Sequence, residues 1–144
     1  GRAMSARVFL DTNVFIYRLD SSDARKHKIA ERLVRDALEN EGACISYQVV
    51  QECLNTVLRK AEVALDEQGA RAYLDAVLLP LFKVGASAAL YQRALDIQSR
   101  WRLGFYDSLI VASALAAGCD TLLTEDLQDG QTIETLKISN PFKR

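Results

Sequence analysis

Apolar residues along this chain follow two alternating rhythms. Short continuous apolar runs occur at 7–11 (RVFLD), 43–48 (ACISYQ), 81–85 (LFKVG), 120–124 (DTLLT) and 135–139 (TLKIS). Their length and bounding turn signals, such as Asn40-Glu41-Gly42 ahead of the second, predict short strands. Between them the period changes to that of a helix. In 24–40, Ile29, Leu33, Ala37 and Leu38 share a face, and in 48–61 so do Val49, Val50, Cys53, Leu54, Val57 and Leu58. A third helix over 65–80 is predicted to end at Pro80, because the residue before proline is pushed out of the helical region. Helices over 86–103 and 105–118 complete the pattern, the last stopping at Gly118, where a left-handed cap is expected.

Strands alternating with helices predict an α/β fold: a central parallel sheet of about five short strands with helices on both faces, in three layers. Ligands of such sheets sit outside the carboxyl ends of the strands. A chain of 144 residues fits one core, and with no linker, repeat or low-complexity stretch, residues 4–144 are expected to form a single domain. Gly1-Arg2-Ala3 ahead of Met4 is expected to be the remnant of a removed expression tag. No apolar run approaches a membrane span, and no basic segment leads into an apolar one at the start, so a cytoplasmic location is expected.

Charge and cysteine usage narrow the chemistry. A net charge of −1 and a pI near 5.9 give no basic footprint, which argues against a tight, passive DNA-binding module. The same balance is compatible with an acidic pocket offset by basic residues on its rim. Cys44, Cys53 and Cys119 form no CxxC pair and are expected to be buried free thiols. The single histidine, His27, lies in a charged helix without ligand spacing, which disfavours zinc and places it at the surface.

Carboxylates carry the remaining signal. Asp11 follows the first predicted strand, Glu52 lies in the first turns of the helix after the second, Asp107 opens the helix 105–118, and Asp126 follows the fourth strand. Each alone has an ordinary reading as a helix cap, a first-turn acid or a turn residue. Together, topology brings all four to one end of the sheet, where they would repel one another unless cations neutralise them. An all-oxygen donor set suits Mg²⁺ or Mn²⁺. Such ions activate a water and stabilise the leaving oxygen in phosphodiester hydrolysis, which needs no Ser/His or Cys/His dyad.

The stretches FLDTNVFIY, VVQECLNTV, FYDSLIVASALAAGCDTLLTEDLQDG and ISNPF, in that order, resemble the successive motifs of PIN-domain proteins, the metal-dependent nuclease fold that includes VapC-type toxins of bacterial toxin–antitoxin pairs. The resemblance runs from about Val8 to Phe142. It implies that the family's four acids fall on Asp11, Glu52, Asp107 and Asp126. It places a small polar residue at Asn13, orienting Asp11 or a metal-bound water, and a hydroxyl at Thr124 in a similar supporting role. It further implies Mg²⁺ or Mn²⁺ dependence, single-stranded RNA as substrate, homodimers and a small antitoxin protein as partner.

In the acidic turn TLLTEDLQDG, Glu125 is expected to point away from Asp126 into solvent, and Asp129 either reaches the ion through water or caps the turn at Gly130. Arg100 and Arg102, just ahead of Asp107, are the candidate RNA contacts, with Trp101 as core or dimer interface. Leu78, Leu79, Leu81 and Phe82 read as core, any exposed part of which would suit a second copy or an antitoxin helix. Two other readings compete. One is a PIN nuclease of RNA maturation or decay rather than a toxin. The other is a non-catalytic α/β module holding one structural Mg²⁺, which would pair acids near the first strand, whereas FLDTN has one.

Overall fold

The computed structural model describes residues 7–60, 63 and 65–144; the expected tag remnant at 1–3 lies outside them. The elements run β1 (Val8–Leu10), α1 (Thr12–Leu19), α2 (Ala24–Glu39), β2 (Ala43–Ser46), α3 (Tyr47–Val57), α4 (Glu67–Tyr73), a π-helical turn (Leu74–Leu78), α5 (Leu79–Leu81), β3 (Phe82–Val84), α6 (Ala88–Trp101), α7 (Phe105–Ala116), β4 (Thr121–Leu123), β5 (Thr132–Ile133) and β6 (Leu136–Ser139). The strands form one sheet in the order β3-β2-β1-β4-β6-β5, parallel except for β5. Helices cover both faces, as expected for an α/β fold with a mostly parallel sheet.

The sheet has six strands rather than about five. The extra one, β5, is a two-residue antiparallel partner of β6, closed by Glu134 at φ 54°; two residues are too few to give an apolar rhythm. α1 is a helix that the apolar rhythm does not predict: after Asp11-Thr12-Asn13 its apolar residues Val14 to Tyr17 are continuous, which gives no helical period. The third helix passes through Pro80 instead of ending there. A π turn over Leu74–Leu78 precedes it, and Pro80 falls in the first turn of α5, where its missing N–H removes no helical bond.

The core is built on the middle of the sheet. Phe9, Leu10, Ile45, Leu122 and Ile138 are fully or almost fully buried, as are Val14 and Phe15 of α1 and Val49 and Cys53 of α3. On α2 the buried face is Ala30, Val34 and Ala37, one step round from the predicted stripe; Ile29 and Leu33 flank it and Leu38 is exposed. The small Ala30 lets α2 lie close against α1. Leu78 and Leu81 are buried as expected, while Leu79 and Phe82 are exposed. All three cysteines are free and buried. His27 is half-buried rather than at the surface, with Nδ1 3.0 Å from the Tyr17 carbonyl. α7 ends as predicted: Gly118 takes φ +74° and its N–H bonds the Leu115 carbonyl. Among the described residues no helix is long and apolar enough to cross a membrane.

Candidate metal centre

The pairing of β1 with β4 sets the first acid. Val8 stands against Thr121 and Leu10 against Leu123, and the Asp11 N–H continues the ladder to the Leu123 carbonyl at 3.0 Å. Asp11 then turns out of the strand with extended backbone and caps α1, its Oδ1 accepting from the Thr12 N–H at 2.7 Å. The same register brings Thr124, one residue past β4, beside it. Thr124 Oγ1 donates to Asp11 Oδ2 at 2.9 Å and accepts from the Asp126 N–H at 3.1 Å. One buried hydroxyl thus links the first and fourth acids.

The other acids come from helices that start at the same end of the sheet. On α3, Glu52 Oε1 accepts from Thr12 Oγ1 at 2.6 Å. Gln48, one turn earlier on that face of α3, donates through Nε2 to the Tyr106 carbonyl at 3.4 Å and ties α3 to the start of α7. Asp107 lies in the first turn of α7, where the helix dipole favours a carboxylate. Asn13, in the first turn of α1, donates through Nδ2 to Asp126 Oδ1 at 3.3 Å.

Electrostatics shows that the four acids share one environment. Asp11 is 6 % exposed, and burial pushes its carboxyl up from 3.8 to about 6. The Thr12 and Thr124 hydrogen bonds oppose that rise, while the charges of Asp126 and Glu52 add to it. Asp107 is pushed up by desolvation and then by Glu52. Asp126 is pushed up by desolvation and then by Asp107, Glu125 and Glu52. Among the described residues none of the four stands in an ion pair. The cluster is therefore a concentration of negative charge that the described protein cations do not offset.

Several expected roles shift. Asn13 bonds Asp126 rather than Asp11, and Thr124 serves both. Asp129 lies at neither of its expected places: its Oδ1 accepts from the Asn140 N–H at 2.7 Å and its Oδ2 stands 3.4 Å from Lys143 Nζ, so it fastens the segment after β6. Those contacts hold its carboxyl below the usual range. Glu125 is half-buried rather than solvated; it accepts from the Tyr17 hydroxyl at 2.5 Å and from Lys26 Nζ at 3.1 Å. Tyr17 packs edge-on against Phe142 at 4.9 Å, and Arg25 donates to the Phe142 carbonyl at 2.6 Å. Arg100 is exposed and lines a shallow cavity with Arg93, Asp96, Ser99 and Glu134, none of them a site acid. Arg102 is the exposed left-handed cap of α6, at φ 56°. Trp101 is half-buried.

Thr12, Gln48, Tyr17 and Lys26 went unnoticed in the sequence. Thr12 and Tyr17 sit inside FLDTNVFIY, and the spacing of Gln48 from Glu52 was legible; Lys26 gave no signal of its own.

The donor set is all oxygen, which suits a hard divalent cation. Asp11, Glu52, Asp107 and Asp126 are the residues that could hold one. They are gathered electrostatically, although among the described residues no three His, Cys, Asp or Glu side chains already form a ready coordination group. The orphan charge of a buried Asp11 is the observation that fits a cation, since burying a carboxylate without a counterion is costly.

Comparison with known structures extends this picture. A toxin–antitoxin complex from Klebsiella pneumoniae matches with a TM-score of 0.64 at 21 % identity, over 95 % of this chain and 98 % of that one. VapC20 of Mycobacterium tuberculosis, described as a sarcin-ricin loop cleaving toxin, matches at 0.61 and 21 %, over 80 % and 86 %. VapBC2 from Rickettsia felis, solved with a promoter DNA fragment, matches at 0.63 and 19 %, over 92 % and 97 %. At these identities the likeness is one of fold. No curated protein sequence matches the chain. The family model described as "PIN domain" matches residues 8–128, a span holding β1 to β4 and all four acids, and on that match this chain belongs to the PIN domain family.

Proposed function

We propose that this PIN domain is a Mg²⁺- or Mn²⁺-dependent endoribonuclease that cleaves phosphodiester bonds of single-stranded RNA, and that it is the toxin of a type II toxin–antitoxin pair. The observation that carries the reading is the set of four carboxylates, drawn from four elements, coupled to one another and left without a protein cation. Solved relatives of the fold described as toxins or toxin–antitoxin complexes support the biological role.

Asp11, Glu52, Asp107 and Asp126 would hold the metal. When bound, it would polarise the scissile phosphate and lower the pKa of a water to supply the nucleophile. The protein's own part is to preorganise the acids. Thr12 fixes Glu52, Thr124 fixes Asp11 and the backbone of Asp126, and Asn13 fixes the Asp126 carboxylate. Burial keeps Asp11 poorly hydrated, so its negative charge is held ready for a cation rather than for water. Arg102, exposed just ahead of Asp107, is a candidate phosphate contact; Arg100, which lines a cavity with Arg93 and Glu134, is the weaker one. A homodimer and a small antitoxin are the proposed partners, with exposed Leu79 and Phe82 as apolar surface for one of them.

The test incubates the protein with end-labelled single-stranded RNA and Mg²⁺ or Mn²⁺, beside EDTA and Asp11→Asn controls. Metal-dependent cleavage abolished in both controls is expected; cleavage that survives either one sinks the site assignment. Growth arrest on expression, relieved by a co-expressed product of a neighbouring small reading frame, separates a toxin from a nuclease of RNA maturation.

A further inference from the structure

At the opposite end of the sheet from the acids, two of the free thiols meet. Cys44 is the second residue of β2, level with Phe9 of β1. Cys119 lies in the turn between α7 and β4, and its N–H is held by the Ala114 carbonyl at 3.0 Å. Although β1 separates their strands, the two sulfurs are 3.4 Å apart. They line a cavity of about 380 Å³ together with Arg7, Gly42, Ala43 and Lys83. Arg7 is fixed there by a 2.9 Å bond from its guanidinium to the Ala117 carbonyl, and Lys83 Nζ is held by the Pro80 carbonyl at 3.2 Å.

We propose that Cys44 and Cys119 form a peroxide-oxidisable dithiol whose disulfide clamps β2 to the entry of β4 across β1. The inference is independent of the nuclease reading. The sulfurs are already in contact, and closing the remaining gap to a bond of about 2.05 Å draws the turn before β4 towards β2. The contact with the Cys119 sulfur, in which either atom can donate, does most to hold the Cys44 thiol below its ordinary range; burial opposes it, and the charges of Arg7 and Lys83 add to it. Arg7 acts on both sulfurs and Lys83 on Cys44 alone, which makes Cys44 the attacking sulfur and Cys119 the resolving one.

The chemistry balances with one peroxide. The Cys44 thiolate attacks a peroxide oxygen; an S–O bond forms, the O–O bond breaks, and hydroxide leaves to become water. The Cys119 sulfur then attacks the Cys44 sulfenic acid; the S–S bond forms, the S–O bond breaks, and the departing hydroxide takes the Cys119 proton as a second water. Two thiols lose two electrons, and the peroxide gains them. Cys53 is a built-in control, since it is 0 % exposed on α3 and has no cationic neighbour driving ionisation.

The experiment treats the folded protein with hydrogen peroxide, then denatures it and counts thiols. A fall from three thiols to one, a loss of two hydrogens in the intact mass, and a cross-linked peptide joining Cys44 to Cys119 are expected. Melting temperature should rise by roughly 5–15 °C and return on reduction, because the bridge closes a long loop. In Cys119→Ser, with its resolving thiol gone, Cys44 should be trapped as a sulfenic acid by a cyclic 1,3-diketone, with no label on Cys53. Retention of all three thiols, equal consumption of Cys53, intermolecular cross-links instead of the internal one, or a disulfide that leaves the melting temperature unchanged would each overturn the proposal.

Discussion

Replacing Asp11 with Asn should make the metal-free protein more stable at neutral pH, and the structure gives the size. The carboxyl titrates near 6 in the folded protein against 3.8 for an ordinary aspartate, chiefly because burial penalises its charge. The folded state therefore binds this proton more tightly than the unfolded state does, so stability is highest below 3.8 and falls as pH rises through about 6. At about 1.36 kcal/mol per pH unit, that gap costs the folded protein roughly 3 kcal/mol once the pH is above both values. Asparagine removes the charge and keeps the shape: its oxygen can still accept from the Thr12 N–H, and its amide can face Thr124 with the hydroxyl turned to accept. Denaturant melts in EDTA at pH 8 should therefore show Asp11→Asn more stable than the parent by up to about 3 kcal/mol, a gap that closes towards pH 4. Adding Mg²⁺ should reverse the order, since only the parent gains binding free energy. If the variant is destabilised equally at pH 4 and pH 8 without metal, Asp11 is a structural cap and the reasoning fails.

Three further outcomes can be checked. Thr124→Val keeps the volume but removes the hydroxyl shared by Asp11 and Asp126; Mn²⁺ affinity measured by calorimetry should fall about 10–100-fold, with near-native circular dichroism. Asp129→Asn should leave metal affinity unchanged, because Asp129 holds Asn140 and Lys143. Its carboxyl is depressed, so its contribution is present above 3.8 and is lost as pH falls through its lower folded value; the variant's acid unfolding curve should lose that component. Gly118→Ala places a Cβ at φ +74° and 3.4 Å from the Arg7 guanidinium, and should cost about 1–2 kcal/mol by denaturant titration.

How far the sequence could be read depended on whether the signal was local. The five longer strands announced themselves within a residue or two, because buried parallel strands are continuous apolar runs. The two-residue β5 and the apolar α1 carry no such contrast. The π turn before Pro80 is a choice of hydrogen-bond partner that apolar spacing does not encode. The four acids were legible as strand-end and helix-start residues, because topology alone places those positions at one end. Their supports were harder to foresee. Glu125 read as solvent-exposed because its partner Lys26 lies 99 residues away, and no local rule links them. Likewise Asp129 belongs to Asn140 through a bond across a hairpin whose first strand was invisible. Arg100 lies close to Asp107 in the chain, but on α6 it lines a cavity with Arg93 and Glu134, which pair with each other.

The position of β1 also sets when the centre can exist. It precedes the other described strands in the chain, yet it sits in the middle of the sheet, between β2 and β4. Asp11 is aligned by hydrogen bonds to β4, made more than a hundred residues later, and is finished by Thr124. During synthesis Asp11 therefore emerges long before its partners, and a nascent chain that ends before Thr124 lacks the register that shapes the site. Its contacts are among the most distant in the chain, so they form late, and as part of the buried central strands they open only with the sheet as a unit. A chain that stops before Thr124 carries Asp11, Glu52 and Asp107 without Asp126, and without the register that aligns the first of them.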